Sequence, residues 1–452
     1  MALRLHTTQS SPTLNTKYTI SFWVKRSKLT YSECFLIDGR VDASNRFKLS
    51  FQSADKIECF NSNSGSDTMA FVTNRQFRDP GAWMHIVLAV DTTDSTAADR
   101  FKLYINGTRE TSFASSTNPS SSDANNVANE NGSVFSIGAY YDNSNAFEGC
   151  MTHFHFVDGT AYAPTTFGET DSTSGIWKPK TAPSVTYGNN GFFLKFENSG
   201  NLDLDSSGNS KSFTTVGTKT QNVDTPSSNF ATFNSVYKAN SNPTYTNGNL
   251  TATSSGSGYR VSFSTLNNST GKWYAEFKRA VGSSDEVFIG VSGEIDVNTS
   301  FGVNDRYMGE TSKSIGISSG NGSSYIAGSA TTYAASYGTN DIIGIALDLT
   351  NKKLYASKNG AWSNGSGAWS SSTFDAAVGA IDISSLIPSG EFGYIGCSNT
   401  GTSTLNANFG QGYFGTTAVA SANADANGHG AMEYPVPSGF YSLNTKNIKE
   451  FG

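Results

Sequence analysis

Two carboxylates two positions apart, Glu294 and Asp296, are the nearest approach to a hydrolytic pair in the sequence. Side chains two apart on a β-strand lie on one face. Two carboxyl groups about 5–5.5 Å apart on one face are what retaining glycoside hydrolysis requires. The segment continues with Asn298 and Thr299 and supplies no further carboxylate. A solvated strand end is therefore the preferred interpretation over a catalytic strand.

The sequence contains five histidines, and two of them have a spacing that could bind a metal ion. His153 and His155 would lie on the same face of a strand, as a metal pair requires. The intervening and flanking residues are apolar and give no third ligand, so we predict two histidines on the polar face of a sandwich strand. His85 is predicted to be structural, and His6 and His429 lie in terminal or loop sequence.

Calcium is the one ion with candidate ligands, because loop carboxylates and carbonyls bind it. Asp38 with Asp42, and the run Asp142-Asn143-Ser144-Asn145, supply oxygen atoms. Neither has a diagnostic spacing, and Asp and Asn in turns usually bond to the backbone. We predict no cofactor, with calcium as the alternative.

Aromatic residues beside small polar ones favour a binding surface over a reaction centre. Glycan recognition stacks an aromatic face against sugar C–H groups while Asn, Asp and Ser bond to hydroxyls. Two predicted loops have this mixture, and the candidate glycan-binding residues are Tyr140, Tyr141, Asp142 and Asn143 in one and Trp362, Asn364 and Trp369 in the other. The alternative is that one aromatic residue of each pair belongs to the core.

Cysteine does not indicate a disulfide framework. The four residues, Cys34, Cys59, Cys150 and Cys397, have no CxxC spacing and no nearby His. We interpret them as buried thiols, with Cys34 and Cys59 as the only pair worth examining for a bridge.

Short alternating segments surround these residues and predict an all-β protein. Tyr18 to Lys25 alternates apolar and polar residues, as a half-buried strand does. Residues 101–105 run into Asn106-Gly107, the preferred type I′ hairpin turn. A second hairpin is predicted from 342–349 to 353–360, and no βαβ alternation occurs. The fold class predicted is two antiparallel β-sandwiches joined by an irregular connecting segment, with domains at 1–180 and 236–452 and the segment at 181–235.

Composition excludes several classes of function. Charged residues are 15% of 452 and the net charge is −6, with no basic run to capture nucleic acid. No apolar stretch reaches the roughly 20 residues needed to cross a bilayer. The start of the chain lacks an apolar core of signal-peptide length, so we expect synthesis and folding in a cytoplasm.

The order of Trp83-Met84-His85-Ile86, Leu103-Tyr104-Ile105-Asn106-Gly107 and Ser136-Ile137-Gly138 resembles the concanavalin A-like (laminin-G/pentraxin) jelly roll. Lys272-Trp273-Tyr274-Ala275-Glu276 and the 345–360 hairpin resemble a SPRY-type sandwich. Glucanases of the concanavalin A-like fold carry Glu-x-Asp-x-x-Glu, and Thr299 stands where the last glutamate is required. The resemblance thus implies binding rather than hydrolysis.

The joining sequence, from Phe167 to Pro179 and from Gly191 to Asn229, is similar to a run in marine bacteriophage virion proteins, cyanophages especially. This resemblance implies a tail fibre, appendage or capsid-surface protein that resides in the virion after assembly in the host cytoplasm. Other virion proteins, host surface glycans and copies of the same chain are the partners it implies. The function expected is non-enzymatic host attachment. A purely architectural virion protein and a polysaccharide hydrolase are the alternatives.

Overall fold

The computed structural model describes residues 3–172, 175–237, 241–282, 286–293 and 305–452. Two compact units divide the chain, Met1–Gln221 and Asn222–Gly452. Nearly all of the regular secondary structure in each unit is antiparallel β-strand, which confirms the all-β prediction. The single α-helix of the described residues, α1 (Thr445–Phe451), begins at Asn444, whose side chain accepts hydrogen bonds from two amides of the first turn.

The first unit contains two large sheets. Its strands are β1 (Arg4–Thr8), β2 (Lys17–Arg26), β3 (Glu33–Arg40), β4 (Arg46–Gln52), β5 (Lys56–Asn63), β6 (Ser66–Gln76), β7 (Trp83–Asp91), β8 (Phe101–Ile105), β9 (Thr108–Arg109), β10 (Phe113–Thr117), β11 (Val134–Ile137), β12 (Gly149–Asp158), β13 (Gly168–Thr170), β14 (Trp177–Pro179), β15 (Phe192–Leu194) and β16 (Thr214–Val216). The eight-stranded sheet has the order β10-β6-β5-β4-β3-β11-β1-β16 and the six-stranded sheet the order β15-β12-β2-β7-β8-β9, while β13 pairs with β14.

Alternating residues of the two sheets meet in one core. Tyr18, Ile20 and Phe22 of β2 are fully buried there, together with Phe47 and Leu49 of β4 from the opposite sheet. The strand periodicity of β2 thus predicts its core face correctly. Its other face is also buried, because the described residues between 160 and 190 cover the outside of the six-stranded sheet through an apolar cluster that includes Phe167 and Tyr187.

The predicted connecting segment does not stand apart from the sandwiches. β15 pairs with β12, and β16 pairs with β1 at the edge of the eight-stranded sheet. Phe192 and Leu194 lie in the first core. The structure therefore divides the chain after Gln221, and not at the predicted boundaries of 180 and 235. The strands in this stretch are short and show little periodicity, so their own sequence does not indicate the unit to which they belong.

The long polar interval from 115 to 131 is partly ordered into the first unit. β10 extends to Thr117, and Val127–Asn129 forms a buried 3-10 helix. The Val127 amide donates to Asn61 Oδ1 at 2.9 Å, and Asn129 Nδ2 donates to Asp158 Oδ1 at 2.7 Å. Hydrogen bonds of Asn side chains therefore anchor this segment. Because polar residues make these contacts, the sequence of the segment shows no apolar periodicity.

The Asn106-Gly107 turn between β8 and β9 has φ values of 50° and 79°, the left-handed pair of a type I′ turn. This confirms the predicted hairpin. A Cβ at Gly107 would also lie 3.0 Å from the Trp177 ring, so the turn needs glycine both for its backbone and for the close approach of that indole.

The second unit repeats the sandwich plan. Its strands are β17 (Thr244–Thr246), β18 (Thr251–Thr253), β19 (Arg260–Phe263), β20 (Lys272–Val281), β21 (Val287–Ser292), β22 (Ser314–Ser318), β23 (Ser324–Ile326), β24 (Ser329–Thr331), β25 (Ile342–Asp348), β26 (Lys353–Lys358), β27 (Ala361–Ser363), β28 (Trp369–Ser371), β29 (Ile381–Asp382), β30 (Tyr394–Asn399), β31 (Thr404–Asn408), β32 (Tyr413–Phe414), β33 (Thr417–Ala418) and β34 (Tyr441–Ser442). One sheet runs β17-β18-β31-β20-β25-β26-β27-β28, with β29 on β26 and β34 parallel to β20, and the other runs β19-β30-β21-β22-β23-β24. The predicted hairpin is β25 and β26.

All four cysteines are free, and Cys34, Cys59 and Cys397 are buried. Burial raises the pKa of the Cys34 thiol to about 12. The interpretation of these three residues as buried thiols is confirmed, and Cys34 and Cys59 are not bridged. Cys150 is half-buried.

Candidate functional site

The loop after β11 lies against the outer face of the eight-stranded sheet. Its turn is closed by the Asn143 amide, which donates to the Tyr140 carbonyl at 2.9 Å, and Asp142 Oδ1 accepts from the Ser144 amide at 2.8 Å. The Tyr140 ring packs 4.7 Å from that of Phe35, while Tyr141 is 42% exposed. Of the two predicted aromatic residues, Tyr141 is the one that presents a ring to solvent.

Three arginines hold this loop. Arg40 Nη1 donates to the Tyr140 hydroxyl at 3.0 Å, and the Arg40 guanidinium lies 4.0 Å from the centre of the Tyr141 ring. The Arg46 guanidinium lies 5.1 Å from the Tyr140 ring, and Arg4 Nη1 donates to the Tyr141 carbonyl. Cation–π contacts of this kind join charged groups to aromatic faces without neutralising the charge.

Asp38 lies beneath the same loop and is completely buried. The Tyr141 amide favours its charged form, yet neither carboxylate oxygen has a hydrogen bond of normal length and angle. Burial raises the pKa of Asp38 to about 6, although Arg46 and Arg40 oppose this rise. We call Arg4, Asp38, Arg40, Arg46, Tyr140 and Tyr141 the arginine cluster.

Lys48 borders the arginine cluster, because it stands directly opposite Asp38 in the register of β4 against β3. Its ammonium group bonds to Glu33 at 2.5 Å and to Glu58 at 2.8 Å. These two carboxylates and the lysine form a self-contained ionic group. The charge of Lys48 is thus already matched, whereas the three guanidinium groups around Asp38 have its carboxylate as a counter-charge, with the exposed Asp142 acting on Arg4 and the exposed Asp42 acting on Arg40.

The sequence pattern did not predict the arginines, and it indicated Asp38 only as a candidate calcium ligand. A signal was present, since Arg4 with His6, Asp38 with Arg40, and Arg46 with Lys48 are charged or ionisable pairs two apart within three strands. Alternation places each pair on one face. Only the pairing of β1, β11, β3 and β4 shows that the three pairs share the same face.

The second predicted loop does not form an aromatic platform. Trp362 is 8% exposed and packs against Phe374, with ring centres 4.9 Å apart. This corrects the prediction for Trp362, because strand β27 turns its side chain into a buried cluster. Trp369 is half-buried and its indole N–H donates to the Ala335 carbonyl at 2.8 Å. Asn364 Oδ1 accepts amide hydrogen bonds within its own loop.

His153 and His155 do not share a strand face, because the register of β12 against β2 shifts between Thr152 and His155 and His153 has a φ of 49°. His155 is buried, stacked 3.8 Å from the Phe193 ring, and its Nδ1 lies 2.8 Å from the Tyr187 hydroxyl. The prediction that His155 lies on a polar face is therefore wrong, because the segment that includes Tyr187 covers this side of the sheet and buries the histidine.

His85 belongs to a buried polar group on the same sheet. Its Nε2 lies 2.8 Å from Ser21 Oγ, and its Nδ1 accepts the Trp177 indole proton at 3.0 Å. Because an indole N–H only donates, neutral His85 carries its proton on Nε2 and donates it to Ser21. In this tautomer the imidazole cannot accept the serine proton, so the geometry does not make His85 a base for Ser21.

Burial lowers the pKa of His85 to about 3. We expect its ring proton resonances to stay constant between pH 5 and 8 in NMR spectra of the folded protein. In the urea-unfolded chain the same residue should titrate near its ordinary value of 6.5. A folded-state titration midpoint above pH 5 would contradict this description of the buried group.

The calcium candidates are not assembled into a site. Asp42 is exposed and its Oδ1 accepts the amides of Ser44 and Asn45. Asp38 is surrounded by arginines, which repel a cation. In the described ranges no group of three or more His, Cys, Asp or Glu side chains is placed to hold a metal ion. The Glu294–Thr299 segment lies outside the described residues.

Residues 3–164 match the family described as the concanavalin A-like lectin/glucanases superfamily. This confirms the concanavalin A-like jelly roll predicted for the first part of the chain. No curated protein matches the sequence. In the part of the chain that the structure describes, no helix is both long and apolar enough to span a bilayer.

Several solved structures are similar to the chain at low identity. The SPRY domain of human HERC1 is 14% identical, covers 35% of this chain and 87% of its own, and has a TM-score of 0.26. A native heptameric SAP-like pentraxin from Limulus polyphemus is 14% identical over 42% and 86%, with a TM-score of 0.29. A putative carbohydrate binding protein from Bacteroides ovatus ATCC 8483 is 13% identical over 48% and 58%, with a TM-score of 0.32.

Proposed function

We propose that this protein binds carbohydrate through the outer face of the eight-stranded sheet in its first unit and does not hydrolyse it. The observation that carries the proposal is the arginine cluster, where the exposed Tyr141 ring adjoins several convergent hydrogen-bonding side chains. An aromatic face with polar groups at its edge is the usual combination for holding a sugar ring and its hydroxyls. The family match over residues 3–164 supports the same proposal.

The ionic group beside the arginine cluster supports binding without hydrolysis. A retaining glycosidase needs one carboxylic acid that gives up a proton and one free carboxylate. Glu33 and Glu58 both accept a hydrogen bond from the Lys48 ammonium group, so both carboxylates are engaged in the same ionic group. Asp38 lies on the same face among three guanidinium groups, and its partners on the two adjacent strands are Ser136 and Lys48 rather than a second carboxylate.

A glycan array with the full chain tests the proposal. We expect Tyr141→Ala to weaken binding of a positive glycan about ten-fold, the loss of roughly 1.4 kcal/mol that one stacked aromatic face supplies. Phe392, which is 49% exposed in the second unit, provides the control, and Phe392→Ala should bind as the unaltered protein does.

Equal losses in the two variants would place the site elsewhere. A protein that binds no glycan on the array, and none on intact host cells, would favour the architectural alternative. Release of reducing sugar from a bound polysaccharide would favour the hydrolase.

We further propose a virion component, a tail fibre, appendage or capsid-surface protein present in several copies, as the setting of this activity. The resemblance of the joining sequence to phage virion proteins is its support. Mass spectrometry of purified, nuclease-treated particles is the test, with the chain expected at a fixed copy number. Its absence from such particles would overturn the setting and leave the carbohydrate-binding proposal intact.

A further inference from the structure

Among the residues that the structure describes, seven buried polar atoms in and around the arginine cluster have no hydrogen bond of normal length and angle. Buried polar groups in folded proteins are nearly always paired, so a local concentration of unpaired ones indicates that other polar atoms are needed there. The atoms are Arg4 Nε, His6 Nδ1, Asp38 Oδ1, Asp38 Oδ2, Arg46 Nε, Ser136 Oγ and Asn143 Oδ1.

Strand register makes these atoms neighbours. His6 is paired with Ser136, and Ser136 with Asp38, across three adjacent strands. Side chains in such a row are about 5 Å apart. Arg40 and Arg46 are paired with one another in the next row of the same face, two residues along β3 and β4. Arg4 precedes His6 by two residues on β1 and so lies on the same face. Relative to the row formed by His6, Ser136 and Asp38, it is on the side opposite Arg40 and Arg46.

The chemistry of the unpaired atoms is of two kinds. The Nε–H groups of Arg4 and Arg46 can only donate, and they carry positive charge. The Asp38 carboxylate and Asn143 Oδ1 accept. A ligand that satisfies both kinds offers acceptor oxygens to the guanidinium groups and, close to them, hydroxyl hydrogens. A negatively charged oxygen is the stronger acceptor for a guanidinium donor, and a metal ion satisfies neither arginine.

We infer that the arginine cluster is the subsite for the acidic group of an anionic glycan, a sugar bearing a carboxylate or a sulfate. This inference rests on the proposed carbohydrate binding and names its ligand class. The acidic oxygens accept from the Nε–H groups of Arg4 and Arg46, and an adjacent hydroxyl donates to Asp38 or Asn143. The exposed face of Tyr141 stacks on the sugar ring.

The loop from Tyr140 to Asn143 must shift outward for the buried atoms to be reached. It is held by hydrogen bonds from Arg40 to the Tyr140 hydroxyl and from Arg4 to the Tyr141 carbonyl. Both contacts use guanidinium donors against neutral oxygens. An anionic oxygen is the stronger acceptor for such a donor, so an acidic sugar competes with the loop where a neutral sugar does not.

Two pairs of polymers test the inference, each differing only in charge. Dextran sulfate is compared with dextran, and polygalacturonate with its methyl ester, in calorimetric titrations of the full chain at 0.15 M salt. We expect one or both charged polymers to bind, and the neutral member of that pair to bind at least about ten-fold more weakly. The pair that responds identifies a sulfate or a carboxylate as the acidic group.

Arg46→Gln should weaken binding of the charged polymer about ten- to one-hundred-fold, as loss of a charge-assisted hydrogen bond does. Arg4→Gln, which removes the other Nε–H group assigned to the acidic oxygens, is the second variant, in case the first fails to melt cooperatively by circular dichroism. Arg75→Gln is the matched control, since Arg75 is exposed at the end of β6 in the same sheet and lies outside the cluster. It should bind within about two-fold of the unaltered protein.

Equal binding of charged and neutral polymers would overturn the inference. So would equal losses in Arg46→Gln and Arg75→Gln, which would mean attraction to general positive charge. Array binding of neutral glycans with no response to either polyanion would also overturn it, leave the proposed function standing, and assign the unpaired atoms to structural water alone. No binding to any glycan would reject both proposals.

Discussion

Replacing Asp55 by alanine is expected to lower the free energy of unfolding of the first unit by about 3–5 kcal/mol. Asp55 is fully buried and accepts three hydrogen bonds, from Arg26 Nη2 at 2.9 Å, the Thr30 amide at 2.8 Å and Arg78 Nε at 3.0 Å. Its removal leaves the Arg26 guanidinium, also buried, without a counter-charge. An uncompensated buried charge is among the most destabilising changes a single substitution can make.

The pH dependence of Asp55 has a definite sign. Burial by itself raises the pKa of Asp55, but hydrogen bonds from Thr30, Arg78 and Arg26 outweigh burial and hold it below the ordinary value of 3.8. A group whose pKa is lower in the folded state stabilises the fold above its unfolded pKa. This contribution is therefore complete at neutral pH and is lost as the pH falls below about 3.8.

Urea unfolding of the full chain at pH 7 measures the effect. Asp67→Ala is the control, because Asp67 is exposed in the same sheet and should change the free energy by less than about 0.5 kcal/mol. A loss of under 1 kcal/mol for Asp55→Ala would mean that the Arg26 charge reaches water and that the ion pair is not sealed.

Glu276→Gln is expected to destabilise the second unit by about 2–4 kcal/mol at pH 5. Glu276 is completely buried on β20. Its Oε1 accepts from the Tyr434 amide and the Tyr274 hydroxyl, and its Oε2 accepts from the Glu433 amide and Asn408. At pH 5 the Glu276 carboxyl is protonated, but its hydroxyl oxygen still has a lone pair that can accept, whereas the NH₂ group of glutamine offers the donors on that side no acceptor. Buried donors that lose their acceptor cost roughly 1–3 kcal/mol each.

Burial also raises the pKa of Glu276 from 4.5 to about 7, against the amides of Glu433 and Tyr434, which lower it. A group with a raised folded-state pKa stabilises the fold fully below its unfolded value, and this contribution is lost as the pH rises through the folded value. The unaltered protein should therefore lose stability between about pH 4.5 and 7 from this residue. The glutamine variant cannot titrate there, so the gap between the two proteins should narrow toward pH 8.

Denaturant unfolding of both proteins at pH 5, 6, 7 and 8 measures that gap. Glu391→Gln, at an exposed glutamate of the same unit, should follow the unaltered protein at every pH. A constant gap between the Glu276 variant and the unaltered protein across this range would mean that Glu276 stays ionised throughout, with the four hydrogen bonds outweighing burial.

Local pattern in the sequence was sufficient for the strands and their turns. The alternation of Tyr18, Ile20 and Phe22 identifies the core face of β2, and Asn106-Gly107 identifies a hairpin, because both depend on residues adjacent in the chain. The outer face of β2 could not be predicted, since Phe167 and Tyr187, which help cover it, are about 140 or more residues away in a segment without periodicity.

Only part of the candidate site could be predicted, again because a sequence pattern reflects residues adjacent in the chain and not those brought together from distant strands. Tyr141 was identified from its neighbours Asp142 and Asn143, which mark a polar turn. Arg4, Asp38 and Arg46 lie on three different strands, and their convergence depends on the pairing order β1-β11-β3-β4. Trp362 failed as a prediction because a Gly- and Ser-rich sequence after it resembles an exposed loop, whereas its own strand faces a buried aromatic cluster.

The late pairing of β16 with β1 bears on how the first unit is made. β1 precedes the other described strands, and its partner strand Thr214–Val216 follows it by some 200 residues. During translation, β1 has an unpaired edge and the sheets lack β15 and β16 until this stretch has left the ribosome. Loop closure over such a separation is slow relative to hairpin formation. Nascent chains halted near residue 180 should therefore bind chaperones and resist native folding, whereas those halted well beyond residue 221 should not.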